Sequence, residues 1–386
     1  MTLRTSERMA FLRQSEIRNM TIECTKVSGI NLAQGVCDTD VPEPVRLGAA
    51  EAMARGTNIY TRYDGLTELR QAIARKVQRD NGARLDPESE IVVTSGATGA
   101  FYAACLALFD PGDSVVLFEP YYGYHLDTLR ALSLTPSFVS LEQPHWTFSV
   151  DALRAAIGPR TRAIVVNTPG NPSGKVFSRA ELEAIAQIAR ERDLYVITDE
   201  IYEYFLYDGH EHVSFAGLPG MRERTVTLGG FSKTFSITGW RVGYLLATRD
   251  LCYKIGHAHD LVYVCAPAPL QIGVARGLDG LEPSFYAELK TEYARKREKL
   301  CSALKRAGIS PHVPSGAYYV LADSRRISGR SSKERALSLL SQCGVAAVPG
   351  SAFFEGRRGD DLLRFSYAKR EPELDEACRR LARFRP

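Results

Sequence analysis

No C-x-x-C pair occurs among the eight cysteines of this 386-residue chain (24, 37, 105, 252, 265, 301, 343 and 378). Thiols scattered in this way outline neither a disulfide framework nor a zinc site, so no metal is expected and they read as reduced cysteines of a cytoplasmic protein. No apolar run reaches the length needed to span a membrane. The N-terminal stretch is polar and carries Glu7 and Glu16, so it lacks both the apolar centre of a signal peptide and the acid-poor character of a transit peptide. Basic and acidic residues, 49 against 45, give a net charge of +4 with no block of one sign. That balance argues against a nucleic-acid or membrane surface and leaves small molecules as the expected partners. Internal repeats and low-complexity tracts are missing as well.

What is present is enough apolar material for a large core. At 45% hydrophobic content the chain exceeds the size at which single cores stop growing, so a large and a small domain are expected. From about Asp64, helical periodicity alternates with short runs rich in Val, Ile and Leu, the βα pattern of a largely parallel sheet. Strands are expected at Ile91–Thr94, Ser114–Glu119, Thr135–Val139, Ala163–Asn167, Tyr195–Asp199, Thr225–Gly229 and Val242–Ala247. After Tyr263 the texture changes to a long charged helix (Pro283–Ala307), strands at Tyr318–Ala322, Val345–Pro349 and Leu362–Ser366, and a closing helix. We expect residues 46–275 to form the large α/β domain, and residues 1–45 with 276–386 a smaller α+β domain. The first forty or so residues have no strand-helix rhythm of their own and are expected to pack against the smaller domain.

In open parallel sheets ligands bind beyond the carboxyl ends of the strands, so polar residues there come first. The segment Gly229–Gly243, GGFSKTFSITGWRVG, sets Lys233 among small and hydroxyl residues with Arg241 eight positions on. A partly desolvated lysine near other cations becomes a nucleophile toward carbonyl compounds such as pyridoxal 5'-phosphate, and a guanidinium suits the phosphate. Ser95-Gly96-Ala97-Thr98-Gly99 opens a helix after a strand, which makes either an anion cradle or a plain capped turn. Asn171, in Thr168–Gly174, is either a donor to an oxygen or a turn residue. Asp199 and Tyr202 stand three apart at a strand-to-helix junction; the carboxylate there is a helix cap or the partner of a protonated pyridine nitrogen. Tyr121-Tyr122 offers an aromatic face or core packing. Arg364, inside an apolar strand, needs a carboxylate from the protein or from a substrate. His125, His257 and His259 read as surface or core residues.

The order and spacing of these pieces resemble the class I/II aminotransferases, pyridoxal-phosphate enzymes of fold type I (the aspartate aminotransferase superfamily), over nearly the whole chain. The resemblance is carried by Asn31–Gly35, Tyr60 with Gly65 and Leu69-Arg70, Ser95–Ala100, Pro120–Tyr122, Asn171–Gly174, Asp199–Tyr202, Ser232–Phe235, Gly239–Gly243 and Arg364–Ser366. It implies a mostly parallel mixed sheet sandwiched by helices, with a smaller α+β domain beside it. It further implies that Lys233 holds pyridoxal 5'-phosphate as a Schiff base and moves the substrate proton, and that Asp199 holds the ring nitrogen. Asn171 and Tyr202 would bind the phenolic oxygen, Tyr122 would stack on the ring, and Ala97, Thr98 and Arg241 would hold the phosphate. Tyr60 would reach that phosphate from the second subunit of a homodimer. Arg364 would grip the substrate α-carboxylate, with Gly35 and Asn171 nearby.

Three departures stand out. The family often has a hydroxyl three residues before the lysine, where this chain has Gly230 and Ser232 stands in as the phosphate donor; the segment Gly35–Asp40 lacks the aromatic often seen after that glycine; and the loop Tyr263–Pro269 is rich in proline and alanine. The implied activity is transfer of an amino group from an L-amino acid to a 2-oxo acid through a pyridoxamine form. A β-lyase, oxidase or cyclase on the same fold is the alternative, and a non-catalytic regulator is disfavoured by the short N-terminal extension.

Overall fold

The computed structural model describes residues 3–385. A two-residue strand, β1 (Ile30–Asn31), precedes the main sheet. That sheet comprises β2 (Ile91–Thr94), β3 (Ser114–Glu119), β4 (Thr135–Ser140), β5 (Thr161–Asn167), β6 (Tyr195–Asp199), β7 (Thr225–Gly230) and β8 (Gly243–Leu246), in the spatial order β2-β8-β7-β6-β5-β3-β4. The strands expected from sequence are all present, with ends moved by one or two residues. β8 pairs antiparallel with both β2 and β7, so the sheet is mixed and mostly parallel. The reason lies in the connection: residues 231–242 hold only a short 3-10 turn, Thr238–Trp240. A parallel strand needs a crossover helix, and without one the chain returns antiparallel.

Helices cover both faces of this sheet. Along β5, Ala163 and Val165 pack with the helices Gly96–Leu108, Gly123–Ala131 and Arg249–Tyr263, while Ile164 and Val166 pack with the helix Arg179–Glu191 on the other side. This period-two division of an all-apolar run is how a fully buried strand feeds two cores at once. The helix Arg179–Glu191 starts on a complete capping box, Ser178 with Glu181.

The second sheet contains β9 (Ser310–His312), β10 (Tyr319–Asp323), β12 (Val348–Pro349) and β13 (Leu362–Ser366), all antiparallel in the order β12-β13-β10-β9. The strand expected at Val345–Pro349 divides: β11 (Val345–Ala346) leaves this sheet and pairs parallel with β1. The N-terminal segment is therefore tied to the C-terminal part of the chain, after a helix, Glu16–Lys26, whose Ser15 cap accepts from the Ile17 amide. No helix among the described residues is long and apolar enough to cross a membrane.

Charges buried next to the sheet are paired. Lys76 meets Glu203 directly, and His212 Nε2 lies 2.7 Å from Glu200 Oε2. Burial alone would raise the Glu200 carboxyl, but the facing His212 holds it below its ordinary range. Burial would likewise lower His212, yet the Glu200 carboxylate raises it. The pair's contribution is complete above the unfolded carboxyl range and below the unfolded imidazole range. It is lost on acidification as Glu200 protonates, and on alkalinisation through the raised His212 value. We expect His212→Asn to shrink the loss of unfolding free energy on going from about pH 5.5 to about pH 9, measured by urea melts. An unchanged loss would place that pH dependence elsewhere.

Candidate active site

Beyond the carboxyl ends of β5, β6 and β7 lies a cleft of about 460 Å³. Its walls bring together the residues expected to act, from segments far apart in sequence: Gly35, Ala97 and Thr98; Tyr122 and Asn171; Asp199 and Tyr202; Ser232, Lys233, Arg241 and Arg364. Lys233 sits at the start of the β7–β8 connection. Its Nζ donates to the Gly35 carbonyl at 3.4 Å and lies 5.9 Å from the Tyr318 ring centre. Among the described residues, no carboxylate lies within the 4.0 Å of an ion pair with this amine.

One end of the cleft is made for an anion. The helix Gly96–Leu108 begins there, with Gly96 at φ +71°, and a Cβ at this position would meet Arg241 Nη2 at 2.5 Å. Gly243 is as tightly placed, since its Cβ would meet the Gly96 carbonyl carbon at 2.6 Å. Gly96 leaves room for the Arg241 guanidinium, and Gly243 lets β8 approach the Gly96-Ala97 backbone, so Arg241 and the start of this helix line the same end of the cleft. Among the described residues Arg241 donates to the Thr238 carbonyl alone, at 3.1 Å, which leaves most of its donors for a ligand. The turn is pinned from behind: the Ser95 amide donates to His259 Nε2 at 2.9 Å. His259 is fully buried, and burial pushes its pKa down to about 4, so it stays neutral and accepts.

At the opposite wall Asp199, ending β6, is buried, and His125 Nε2 is 3.1 Å from its Oδ2. Asn167 braces both loops: its Nδ2 donates to the Asp199 carbonyl at 3.0 Å and its Oδ1 accepts from the Asn171 amide at 2.7 Å. Tyr122 packs edge-on against His125, with centroids 5.3 Å apart, and burial pushes its phenol far up. Tyr202 and Tyr319 share a hydrogen bond of 2.9 Å between their hydroxyls.

Arg364 is the most constrained cation of the cleft. It is fully buried, and its Nη1 donates to Asn171 Oδ1 at 2.9 Å while Nη2 donates to the Ala33 carbonyl. The rings of Tyr319 and Phe353 lie 4.4 and 4.9 Å from its guanidinium carbon. Its Nε has no hydrogen-bond partner, and among the described residues no carboxylate pairs with it. Burial pulls this guanidinium below its ordinary range, with the neighbouring tyrosines opposing. A buried cation with neutral neighbours only is a site awaiting an anion.

These observations fit pyridoxal 5'-phosphate: an anion cradle bounded by two side-chain-free positions, a buried carboxylate across from it, and a free lysine amine between. Tyr60 is not on the cleft wall and is 79% exposed beside Ile59 at 80%. At Gly230, where the family often has a hydroxyl, a Cβ would come within 2.8 Å of the movable end of Ile201, Cδ1. Cys37 is buried beside the cleft and burial raises its thiol, which suits an inert role. Among the described residues no cluster of three or more His, Cys, Asp or Glu could hold a metal.

Sequence reasoning missed His125, Asn167, Tyr319 and the mouth residues Ser15, Ile17 and Arg18. His125 was read as core or surface, yet it lies three residues after Tyr122, on the first turn of a helix leaving the sheet's carboxyl edge, and that spacing was a usable signal. Asn167 ends β5 as Asp199 ends β6, directly opposite it in register.

The pattern of the family described as aminotransferase class I and II matches residues 27–381. A probable N-succinyldiaminopimelate aminotransferase of Mycobacterium tuberculosis is 38% identical over 374 residues, covering 94% of each chain. Aromatic-amino-acid aminotransferase 2 of Thermococcus litoralis is 35% identical, covering 97% of each. The solved structure of N-succinyldiaminopimelate aminotransferase from Mycobacterium tuberculosis superimposes with a TM-score of 0.94 at 37% identity, covering 98% of this chain and 99% of that one.

Proposed function

This chain belongs to the class I and II aminotransferases and is an enzyme of amino-group transfer, and on that premise we propose that it carries the α-amino group of an L-amino acid to a 2-oxo acid using pyridoxal 5'-phosphate held at Lys233. The observation that carries the reading is one cleft holding both a lysine amine free of carboxylates and an arginine buried without one. Ala97 and Thr98 amides, Ser232 and Arg241 would hold the phosphate, Asp199 the ring nitrogen, Asn171 and Tyr202 the phenolic oxygen, and Tyr122 the ring face. When bound, the cofactor supplies the electron sink that lets a bond at the substrate Cα break with its electrons left behind.

The chain's own residues do the remainder. Arg364 takes the substrate α-carboxylate in its planar fork, with Asn171 and Gly35 beside it, which fixes the amino acid's Cα over Lys233. Lys233 Nζ would take the proton from that Cα and deliver it to C4' of the cofactor. His125, with Nε2 3.1 Å from Asp199 Oδ2, would keep that carboxylate in place. The walls of the cleft come from both parts of the chain, with Lys233, Asp199 and Arg241 from the 46–275 unit and Gly35 and Arg364 from 1–45 and 276–386. Arrival of a carboxylate at Arg364 would draw the two parts together and exclude water.

A homodimer completes this reading. Ile59, Tyr60 and Leu261 are each about four-fifths exposed, and the Tyr63–His257 ring contact at 4.7 Å joins their two segments into one apolar face. A second copy seated there would bring its Tyr60 to the Arg241 end of the cleft. A cytoplasmic setting suits the free thiols. Donor choice would rest with Ser15, Ile17 and Arg18 at the mouth, because the donors named for the relatives differ.

The test mixes cofactor-loaded protein with single L-amino acids and no 2-oxo acid, following the cofactor spectrum, ammonia and oxygen. A stoichiometric spectral change that a 2-oxo acid reverses is the expected result, and the responding amino acids name the donor. Catalytic release of ammonia or hydrogen peroxide without an acceptor would overturn it.

A further inference from the structure

We propose that Tyr319 is a positioning residue that couples the two ends of this site, its hydroxyl supporting the Tyr202 phenol and its ring face holding the Arg364 guanidinium. The inference rests on the cofactor reading above and goes beyond it, since it concerns how two binding groups are held in one relation.

Pairing in the second sheet sets the geometry. Tyr319 on β10 stands opposite Ser366 on β13, and Leu321 opposite Arg364. Tyr319 and Arg364 are thus diagonal neighbours on one face, close enough for a ring and a guanidinium to stack, and they do so at 4.4 Å. Both side chains are buried, Tyr319 at 2% exposure and Arg364 at 0%. The hydroxyl end reaches Tyr202, which follows β6 of the other sheet, at 2.9 Å. Gly35 supplies the room: a Cβ there would run into the Tyr319 hydroxyl, so any side chain at Gly35 displaces this bridge between the sheets.

Burial pushes the Tyr202 phenol well above its ordinary range, so it remains a proton donor at neutral pH. With its proton directed at the cofactor's phenolic oxygen, Tyr202 accepts from Tyr319. A hydroxyl that accepts one hydrogen bond donates another more strongly. The Tyr319 hydroxyl thereby strengthens the hold on that oxygen's negative charge, and its removal leaves the nitrogen of the Lys233 link protonated to higher pH. The other ionisable groups facing Tyr202 are Tyr122 ahead of the helix Gly123–Ala131, Asp199 at the end of β6, Tyr318 before β10 and Arg364 on β13. Lys233 and Cys37 face Tyr318 from the other side. A Tyr319→Phe change alters none of these.

The experiment is a spectrophotometric pH titration of the loaded enzyme. Tyr319→Phe, which keeps the ring, is expected to move the midpoint of the visible absorption upward by about half to one pH unit and to lower kcat by roughly 3- to 10-fold, with KM for the amino acid within about twofold. Tyr319→Leu, which also removes the ring, is expected to raise KM by a further ~5-fold or more. In a Tyr202→Phe background, Tyr319→Phe is expected to leave the midpoint where that background sets it. An unmoved midpoint in the single variant, or an equal shift in both backgrounds, overturns the role. Failure of the cofactor reading looks different: the unaltered protein would then form no borohydride-fixed adduct at Lys233.

Discussion

Replacing Lys233 by alanine is expected to remove the covalent hold on the cofactor and to lower turnover by at least about 10³-fold. The expectation follows from how little else contacts this amine: a single long hydrogen bond to the Gly35 carbonyl at 3.4 Å and the face of Tyr318. Nothing competes for its lone pair once it loses a proton, and nothing nearby can substitute for it. Its backbone is held on both sides, because Phe231 and Phe235 stack at 5.8 Å and 12° and anchor the turn in the core. Loss of the side chain therefore leaves the loop in place. Arg241, Gly96 and Asp199 also stay, so the variant should still take up pyridoxal 5'-phosphate, but reversibly. Borohydride treatment followed by mass measurement reads this directly: the parent gains the mass of the reduced adduct and the variant does not. An adduct of equal yield in the Lys233→Ala protein would move the nucleophile to another residue.

How much of this was legible beforehand depends on the reach of each interaction along the chain. Strands such as Tyr195–Asp199 and Ser114–Glu119 were plain because apolar runs bounded by turn residues are local signals, and their polar last residues pointed to the cleft through the geometry of parallel sheets alone. The direction of β8 was not read, although the shortness of residues 231–242 and their lack of a helix held the answer. The loop Tyr263–Pro269 between the helices Arg249–Tyr263 and Ala268–Gly280 is marked in sequence by Pro267 and Pro269, but the sharp turn at Val264, φ +61°, is a conformation no residue type there announces. Tyr319 was out of reach for another reason. Its meaning comes from a register with β13 and from Tyr202, 117 residues away, and neither distance nor register is written in local pattern. Arg364 was legible because a charge inside an apolar strand is a local anomaly that demands a partner.

That anomaly supports the second large expectation. Arg364→Met should reduce kcat/KM for every amino acid substrate by roughly 30- to 1,000-fold, equivalent to about 2–4 kcal/mol, while the protein still takes up the cofactor at Lys233. The guanidinium is fully buried with two neutral acceptors, Asn171 Oδ1 and the Ala33 carbonyl, and two aromatic faces. None of these neutralises it, so the desolvated charge carries a cost that a substrate carboxylate relieves. Stability and activity should consequently part company. Methionine fills much of the volume, and the loss of two hydrogen bonds is offset by removal of the uncompensated charge, so unfolding free energy should stay within about 1 kcal/mol of the parent. Arg364→Lys keeps the charge but not the planar fork, and should fall between the two in kcat/KM. Chemical denaturation beside steady-state kinetics on the three proteins checks both halves. If the methionine variant lost stability and activity together, Arg364 would be a structural residue of the second sheet; if it lost neither, the substrate carboxylate would be bound elsewhere.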